Sequence, residues 1–431
     1  MIDLAIIKIL FHAISTDIFH FLVVPVAVFS AFFYFFGVIG ILQRKSKTSA
    51  RKLKSFPKVT IQIPTFNEPV AIRCAEQCLK MNYPKDKYEI LIGDDSSDKE
   101  VSRMIDGFAT KHKVRVIRRN TNEGFKAGNL NNMLLHSKGE IIVIFDSDFI
   151  PPVDFLQRIV QPFSDKKVAC AQAKWSYINM EQSFTSKFAS TVLMVYHNIL
   201  AKLNNKAGVS LLFGSGEAVR KDILMKLGGW QNGSVTEDVE FSVRALTKGY
   251  KTIYIDDMSV QGEVPYNMKS LRIQQKRWAY GNTKAFLEHK KEIMLGKFSP
   301  VQKALMTFTM LGYVSSFFLV AFMFFGAASF MTGEPAQINV VRLLADVGIN
   351  FILASGFTFA GIVALWKENK ISHVVVVFFS ALTVGIIVSL SVCSGIIKAL
   401  RGKPMYWNII RKKGNMEFMP DSYGLTISVK H

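Results

Sequence analysis

The chain has 431 residues, of which 49% are hydrophobic, and its formal net charge is +20. This length suits a globular domain together with a membrane part. No nucleic-acid motif accompanies the charge, and many basic residues flank apolar segments, as the positive-inside rule predicts for a membrane protein. We therefore expect membrane lipid, and no nucleic acid, among the partners. The four cysteines form no Cys-x-x-Cys pair, which argues against structural zinc.

The first long apolar segment, residues 20–42, carries no formal charge and is long enough to cross a bilayer as a helix. The basic run that follows places the end of this span, and the polar middle of the chain, in the cytoplasm. We predict that residues 1–54 form an N-terminal membrane segment with a basic linker.

From residue 57, short β-branched runs alternate with helical patterns, which predicts an α/β domain with a largely parallel sheet. The predicted strands are 59–64, 88–94, 114–119, 140–145, 168–173 and 251–256, with helices such as 71–81 and 125–137 between them. Polar groups follow at 65–68, 94–97 and 146–148, and another, 236–238, begins a later helix. Each alone could be a solvated turn, but four that meet at one sheet edge indicate a ligand site.

Asp146 and Asp148 follow an apolar strand and are two residues apart, so both carboxylates point to the same side of an extended chain. Two such oxygen donors suit Mg²⁺ or Mn²⁺, which would bridge a bound diphosphate. The alternative is a structural turn before Pro151 and Pro152.

Asp238 lies in the first turn of a predicted helix, where the helix dipole would keep the carboxylate ionised and able to accept a proton. The alternative is that Glu237 and Asp238 are ordinary first-turn acids. Further on, Gln274, Arg277 and Trp278 share one helix face, which suits binding of a diphosphate and a sugar ring. An amphipathic helix on the membrane surface explains the same pattern, and both interpretations can hold together.

We predict interfacial helices over residues 263–302, transmembrane helices over 303–398 and a basic tail over 399–431. The candidate spans are 304–331, 349–366 and 374–398. Three crossings after the middle would put the tail outside, whereas its Lys and Arg content predicts the inside. An extra crossing or a re-entrant segment between residues 304 and 366, or an exceptional tail, would resolve the conflict, and these alternatives stay open.

Seven short motifs occur in an order that resembles the inverting family 2 glycosyltransferases of the GT-A fold. They are PTFNE (64–68), Asp94-Asp95, FKAGNLN (125–131), DSD (146–148), GSGE (214–217), TED (236–238) and QQKRW (274–278). The similarity is to the membrane branch that contains cellulose, mannan, chitin and hyaluronan synthases and ceramide glucosyltransferase. It runs from about residue 57 to 285 and implies a GT-A domain, with a mixed, mainly parallel sheet, over residues 55–262.

The resemblance also implies a role for each matching residue. Phe66, Glu68 and Asp95 would contact the nucleotide base, Lys126 the phosphates, Asp146 and Asp148 the metal, and Arg277 the diphosphate, with Asp146 also part of the donor site. Asp238 would be the general base, while Gln274 and Trp278 would line the acceptor entrance.

We therefore expect a metal-dependent inverting hexosyltransferase that is a multi-pass membrane protein with its catalytic domain facing the cytoplasm. Its donor would be GDP-mannose or UDP-glucose, and its acceptor a polyprenyl- or dolichyl-type lipid or a glycolipid. A lipid acceptor is favoured because about four apolar spans can hardly enclose a polar glycan. The alternative is a processive β-glycan synthase of mannan or cellulose type. A catalytically silent scaffold is disfavoured, because the carboxylates and the Arg-Trp pair are all present.

Overall fold

The structure, a computed structural model, describes residues 4–43, 53, 55–333 and 340–405. Its strands are β1 Val59–Thr65, β2 Tyr88–Asp94, β3 Arg115–Ile117, β4 Ile141–Ile144, β5 Val168–Tyr177, β6 Glu217–Arg220 and β7 Lys251–Gly262. The first nine helices are α1 Leu4–Leu42, α2 Ala71–Leu79, α3 Lys99–His112, α4 Phe125–His136, α5 Phe155–Ile159, α6 Phe184–Val195, α7 Ala201–Ala207, α8 Lys221–Lys226 and α9 Glu237–Thr247. The others are α10 Met268–Leu295, α11 Pro300–Leu311, α12 Val314–Thr332, α13 Val340–Ala354, α14 Gly356–Lys367, α15 Val374–Ser380 and α16 Ile386–Leu400. Single π-helical turns, Tyr196–Leu200 and Ala381–Gly385, join α6 to α7 and α15 to α16.

The seven strands form one sheet in the order β3-β2-β1-β4-β6-β5-β7. Only β6 runs antiparallel to its neighbours, β4 and β5, and the other pairs are parallel. Side chains alternate between two buried layers, with Ile61 and Val143 in one and Leu91 and Ile142 in the other. The predicted α/β class with a mixed, mainly parallel sheet is confirmed.

Two strands run further than predicted, and one strand was not predicted. β5 and β7 continue together to Tyr177 and Gly262, where polar residues interrupt the apolar runs used for prediction. β6 is only four residues long and begins and ends with a charged residue, so its sequence carries no strand signal. β6 forms because it lies between β4 and β5 and makes backbone hydrogen bonds with both of them.

The apolar helices also differ from the predicted spans. α1 has 39 residues and starts at Leu4, well before the predicted residue 20. The predicted span 304–331 is two helices, because α11 ends at Leu311 and α12 starts at Val314. By length and composition, three described helices could cross a membrane, or four if the bent pair α13–α14 counts as one span.

The bend between α13 and α14 is 59° and is stabilised by side chains of α1. The Gly356 N–H donates to Ser30 Oγ over 2.8 Å, and the hydroxyls of Tyr34 and Ser355 lie 2.7 Å apart. These contacts satisfy polar groups that a broken helix leaves without an intrahelical partner. Specific side-chain contacts with α1 therefore stabilise the bend.

Candidate active site

A cavity of about 1100 Å³ starts at the carboxyl ends of β1, β2 and β4 and continues between the apolar helices. All ten residues predicted for the site line it. They are Phe66, Glu68, Asp95, Lys126, Asp146, Asp148, Asp238, Gln274, Arg277 and Trp278. The structure therefore brings together side chains that are up to about two hundred residues apart in sequence, because parallel strands end at one edge of the sheet.

Lys126 is the centre of the polar end of the cavity. Its Nζ lies 2.7 Å from Asp146 Oδ1 and 3.3 Å from Glu237 Oε1, and it donates to the Gly214 carbonyl over 2.6 Å. Burial alone lowers the pKa of Lys126, but the negative charges of Asp146 and Glu237 raise this pKa above its ordinary value. Lys126 is therefore a permanently charged ammonium ion at the polar end of the cavity.

The backbone at Gly214 allows this close arrangement. Its φ is +88°, a conformation that side-chain-bearing residues rarely adopt, and a Cβ there would lie 3.1 Å from Asp238 Oδ2 and 3.3 Å from Lys126 Nζ. A larger residue would therefore push into the polar cluster. The structure gives a physical reason for the first glycine of the GSGE motif.

Asp238 lies in the first turn of α9 and is 8% exposed. Burial, and next the negative charge of Glu237, raise its pKa from 3.8 to about 7. The helix dipole favours an ionised carboxylate, as predicted, but the effect of burial is larger and raises the pKa of Asp238. A carboxylate with a pKa near the working pH is well suited to accept a proton.

Asp95, Glu68 and Phe66 also line the polar region of the cavity. Arg119 donates from Nε to Asp95 Oδ1 over 2.9 Å and from Nη2 to Asp95 Oδ2 over 2.6 Å, so both carboxylate oxygens are already engaged. Glu68 accepts a hydrogen bond from the Ser147 hydroxyl, which links this group to the DSD motif. A base contacting Asp95 would thus meet a carboxylate held in a fixed orientation by Arg119.

Asp146 and Asp148 provide two oxygen donors for a metal ion. The Asp146 side chain is 34% exposed to the cavity, while Asp148 is buried and its Oδ2 accepts the Glu263 N–H over 3.1 Å. Within the described residues, no group of three or more His, Cys, Asp or Glu side chains is arranged to hold a metal. The pair fits Mg²⁺ or Mn²⁺ only if phosphate and water complete the shell, as is usual for Mg²⁺, and Lys126 must then leave Asp146.

The first half of α10 presents the predicted Gln274, Arg277 and Trp278 to the cavity. Arg277 Nη1 donates to the Val235 carbonyl over 3.0 Å, and burial lowers its pKa against the opposing effect of Glu237 and Asp146. Gly281 lies so close to Thr236 that a Cβ there would overlap its side chain. This close packing sets the Arg277 face of α10 directly against the TED motif.

Sequence reasoning gave no role to four residues that the structure places at the site. Glu237 and Glu217 lie in the TED and GSGE motifs, and Glu217 Oε2 accepts the Gly214 N–H over 2.9 Å. Arg119 follows β3 in no recognisable motif. Tyr196 faces the cavity with its ring edge-on to Phe213 at 5.3 Å between centroids, and burial, opposed by a hydrogen bond to Thr309 and reinforced by Asp238, raises its pKa.

Beyond Tyr196 the cavity becomes apolar. Side chains of α1, α12, α13 and α15 line this part, among them Phe33, Met323, Phe351 and Phe378, together with a few hydroxyls such as Ser355. The lining residues that the apolar helices contribute carry no formal charge among those described. The cavity thus joins a charged end at the sheet to an apolar end between the apolar helices.

Comparisons with known proteins identify the family. Residues 57–281, more than half of the chain, match the family described as glycosyltransferase like family 2, and residues 214–408 match the family described as cellulose synthase. Glucomannan 4-beta-mannosyltransferase 7 of Arabidopsis thaliana is 34% identical over 240 residues, which is 53% of this chain and 43% of that protein. Glucomannan 4-beta-mannosyltransferase 1 of Oryza sativa subsp. japonica is 29% identical over 259 residues, or 56% and 49% of the two chains. The chain thus spans about half the length of these curated relatives.

Among solved structures, a mannosyltransferase from Pyrobaculum calidifontis in complex with GDP-Man and Mn²⁺ has the same fold. Its TM-score is 0.60 at 18% identity, and the match covers 86% of this chain and 99% of the other. The GT-A fold and the resemblance inferred from the seven motifs are both confirmed. The chain belongs to the glycosyltransferase like family 2, in its cellulose synthase-like branch.

Proposed function

We propose that the protein transfers a hexose, mannose, with inversion from a nucleoside diphosphate sugar to a glycan acceptor and so forms a β-linked product. The observation that carries this proposal is the cluster of Asp238, Lys126, Asp146 and Arg277 in one cavity at the sheet edge. The relatives named glucomannan 4-beta-mannosyltransferases support a β-glycan product, which was the alternative in the sequence analysis, over the lipid-linked acceptor that we had favoured.

The side chains suggest how the reaction proceeds. Lys126 and Arg277 would bind the diphosphate, and Asp238 would remove the proton from the acceptor hydroxyl as its oxygen attacks the anomeric carbon from the face opposite the nucleotide. Asp146 and Asp148 would hold Mg²⁺ or Mn²⁺, which when bound supplies positive charge for the leaving diphosphate. Attack from the opposite face converts an α-linked donor sugar into a β-linked product.

A donor and acceptor screen tests the proposal. Purified protein is incubated with GDP-mannose or UDP-glucose, with and without β-manno-oligosaccharides, and both released nucleotide and product are measured. We expect the manno-oligosaccharide to be extended from GDP-mannose and the product to be digested by a β-mannanase. Nucleotide release without any extended glycan, or extension only from UDP-glucose, would refute the mannan assignment.

The apolar end of the cavity favours a second candidate, transfer to a lipid-linked acceptor. Its aromatic and aliphatic walls offer a glycan few hydrogen-bond partners but suit a hydrocarbon chain. The test is incubation with radiolabelled donor in native lipid without added oligosaccharide. A discrete labelled product that partitions into organic solvent supports this acceptor, whereas label only in water-soluble or insoluble glycan argues against it.

For the location we propose an integral membrane protein with its catalytic domain in the cytoplasm. The support is the run of basic residues after the first apolar segment, which is typical of the cytoplasmic end of a span. Protease protection in sealed vesicles of known orientation tests this side.

A further inference from the structure

The apolar helix from Ile371 to Leu400, which contains α15 and α16, was predicted as the last transmembrane span. It has 30 residues and a mean hydropathy of 2.5, so its composition alone permits a crossing. It contacts α12 and α13, but its start, middle and end also contact the catalytic side of the molecule. At its start, His373 Nε2 lies 2.8 Å from Glu181 Oε1, in the segment that connects β5 to α6.

The end of this helix lies on the same side. Ala399 packs in a small cluster with Val235 and Tyr280, and Met405 packs against that cluster. Val235 directly precedes the TED motif, so this end of the helix adjoins the active-site loop. Both ends of the helix therefore contact the catalytic part of the protein.

The middle of the helix contacts the same layer. A Cβ built on Gly385 would lie 3.4 Å from the Phe188 ring of α6, and Arg272 Nε of α10 donates to Ser391 Oγ over 2.8 Å. Val388 and Val392 belong to one buried cluster with Leu271 of α10. The helix thus runs alongside α6 and α10 from its start to its end.

A straight helix of this length measures about 45 Å, and a crossing would carry one end about 30 Å away from the catalytic side. Contacts at the start, middle and end exclude this arrangement. We propose that the helix 371–400 does not cross the membrane but lies along its surface, beneath the catalytic domain, and that its outward face contacts the acyl chains of the nearer leaflet.

The outward face supports acyl chains as the occupant. Val375, Phe379 and Leu390 lie on it and are 61%, 56% and 53% exposed, respectively. In water these side chains would form a large apolar patch, whereas lipid covers them without cost. α16 also packs against α12, which has no buried residue in its membrane-length window.

The ends of the other apolar helices have different contacts from those of helix 371–400. α12 ends beside the beginning of α1, where His12 Nδ1 lies 3.0 Å from the Ser329 carbonyl. α14 ends beside the end of α1, where Lys367 Nζ donates to the Gln43 carbonyl over 2.8 Å. α1, α12 and the bent pair α13–α14 therefore each run between the two sides.

Three crossings place Met405 on the same side as the catalytic domain. This resolves the conflict between the span count and the basic tail, which lies mostly outside the described residues. The segment between His373 and Lys398 has no formally charged residue, so its sequence predicts a transmembrane span. Hydropathy cannot show whether its apolar side chains contact lipid or other parts of the protein.

Cysteine labelling of the full-length protein in sealed vesicles tests the inference without reference to activity. Single cysteines replace the exposed Asn369 and Lys403, on either side of the helix, and Lys248 marks the catalytic domain. Met331, 80% exposed at the end of α12, marks the other side. The four native cysteines are buried, and the unsubstituted chain gives the background.

A membrane-impermeant maleimide should label N369C, K403C and K248C from one side and M331C from the other. Labelling of K403C from the side of M331C, while N369C labels with K248C, would overturn the proposal. R401C, also at an exposed position after the helix, gives a second reading if K403C expresses poorly. Failure of the proposed transfer reaction would leave this result unchanged, because labelling requires no turnover.

Discussion

Replacing Glu237 with glutamine should shift the pH profile of transfer toward lower pH. The pKa of Asp238 is about 7, raised first by burial and second by the charge of Glu237. As a general base, Asp238 acts only when it is ionised, so activity should fall as the pH drops below this pKa. Removal of the neighbouring negative charge favours ionisation and therefore lowers the pKa.

The expected size follows from the titration of a single group. With a pKa of about 7, roughly a tenth of the molecules carry ionised Asp238 at pH 6 and roughly nine tenths at pH 8, so the wild-type rate should change about tenfold between these values. In E237Q the ratio of the rates at pH 6 and pH 8 should rise several-fold. Burial still raises the pKa of Asp238 in that variant, so part of the fall in activity at low pH should persist.

The assay is kcat/KM from pH 5 to 9 in a constant-ionic-strength buffer, measured for wild type, E237Q and D238N. E292Q removes a similar charge from the exposed end of α10 and is the matched control, with an expected profile like that of the wild type. D238N should lose roughly 10²–10⁴-fold in rate, and the residual rate should show no limb near pH 7. A wild-type profile that is flat from pH 6 to 8, or a limb that moves upward in E237Q, would refute the reasoning.

Three further predictions concern the metal, the base contact and the packing of α10. Excess EDTA should abolish transfer and Mg²⁺ or Mn²⁺ should restore it, while D148A should lose Mn²⁺ binding in the presence of nucleotide by EPR; full activity in chelator would contradict this. R119K should weaken nucleotide binding by calorimetry about tenfold, because lysine cannot hold Asp95 with two parallel bonds, and unchanged affinity would count against that role. G281A should lower stability by about 1–3 kcal/mol, because its methyl group meets Thr236; an unchanged Tm in detergent would show that α10 shifts freely.

The sheet and the residues at its edge were predictable for a common reason. β1, β2 and β4 are short apolar runs followed at once by polar residues, and parallel strands place such residues together. Asp146 and Asp148 could therefore be assigned to one edge before any coordinates were known. The different surroundings of the two carboxylates could not be predicted, because Lys126, which contacts Asp146, and Glu263, which contacts Asp148, come from distant parts of the chain.

Features set by tertiary contacts were not predictable. β6 forms because β4 and β5 flank it, and the pKa of Asp238 depends on burial that a helix-dipole argument does not include. The helix 371–400 shows the same limit at a larger scale, since its sequence is that of a span while its neighbours include α6 and α10 along its length. In each case contacts with distant parts of the chain, which the local sequence does not contain, determine the property.

The central claim is inverting hexosyl transfer with Asp238 as the base, and the anomeric configuration of the product tests it most directly. Wild type and D238N are incubated with GDP-mannose, a divalent metal and β-manno-oligosaccharide, and the products are examined by NMR. The account predicts a new β-linked mannose with the wild type and almost none with D238N, while both proteins still bind the donor. An α-linked product, or equal amounts of product from both proteins, would contradict it.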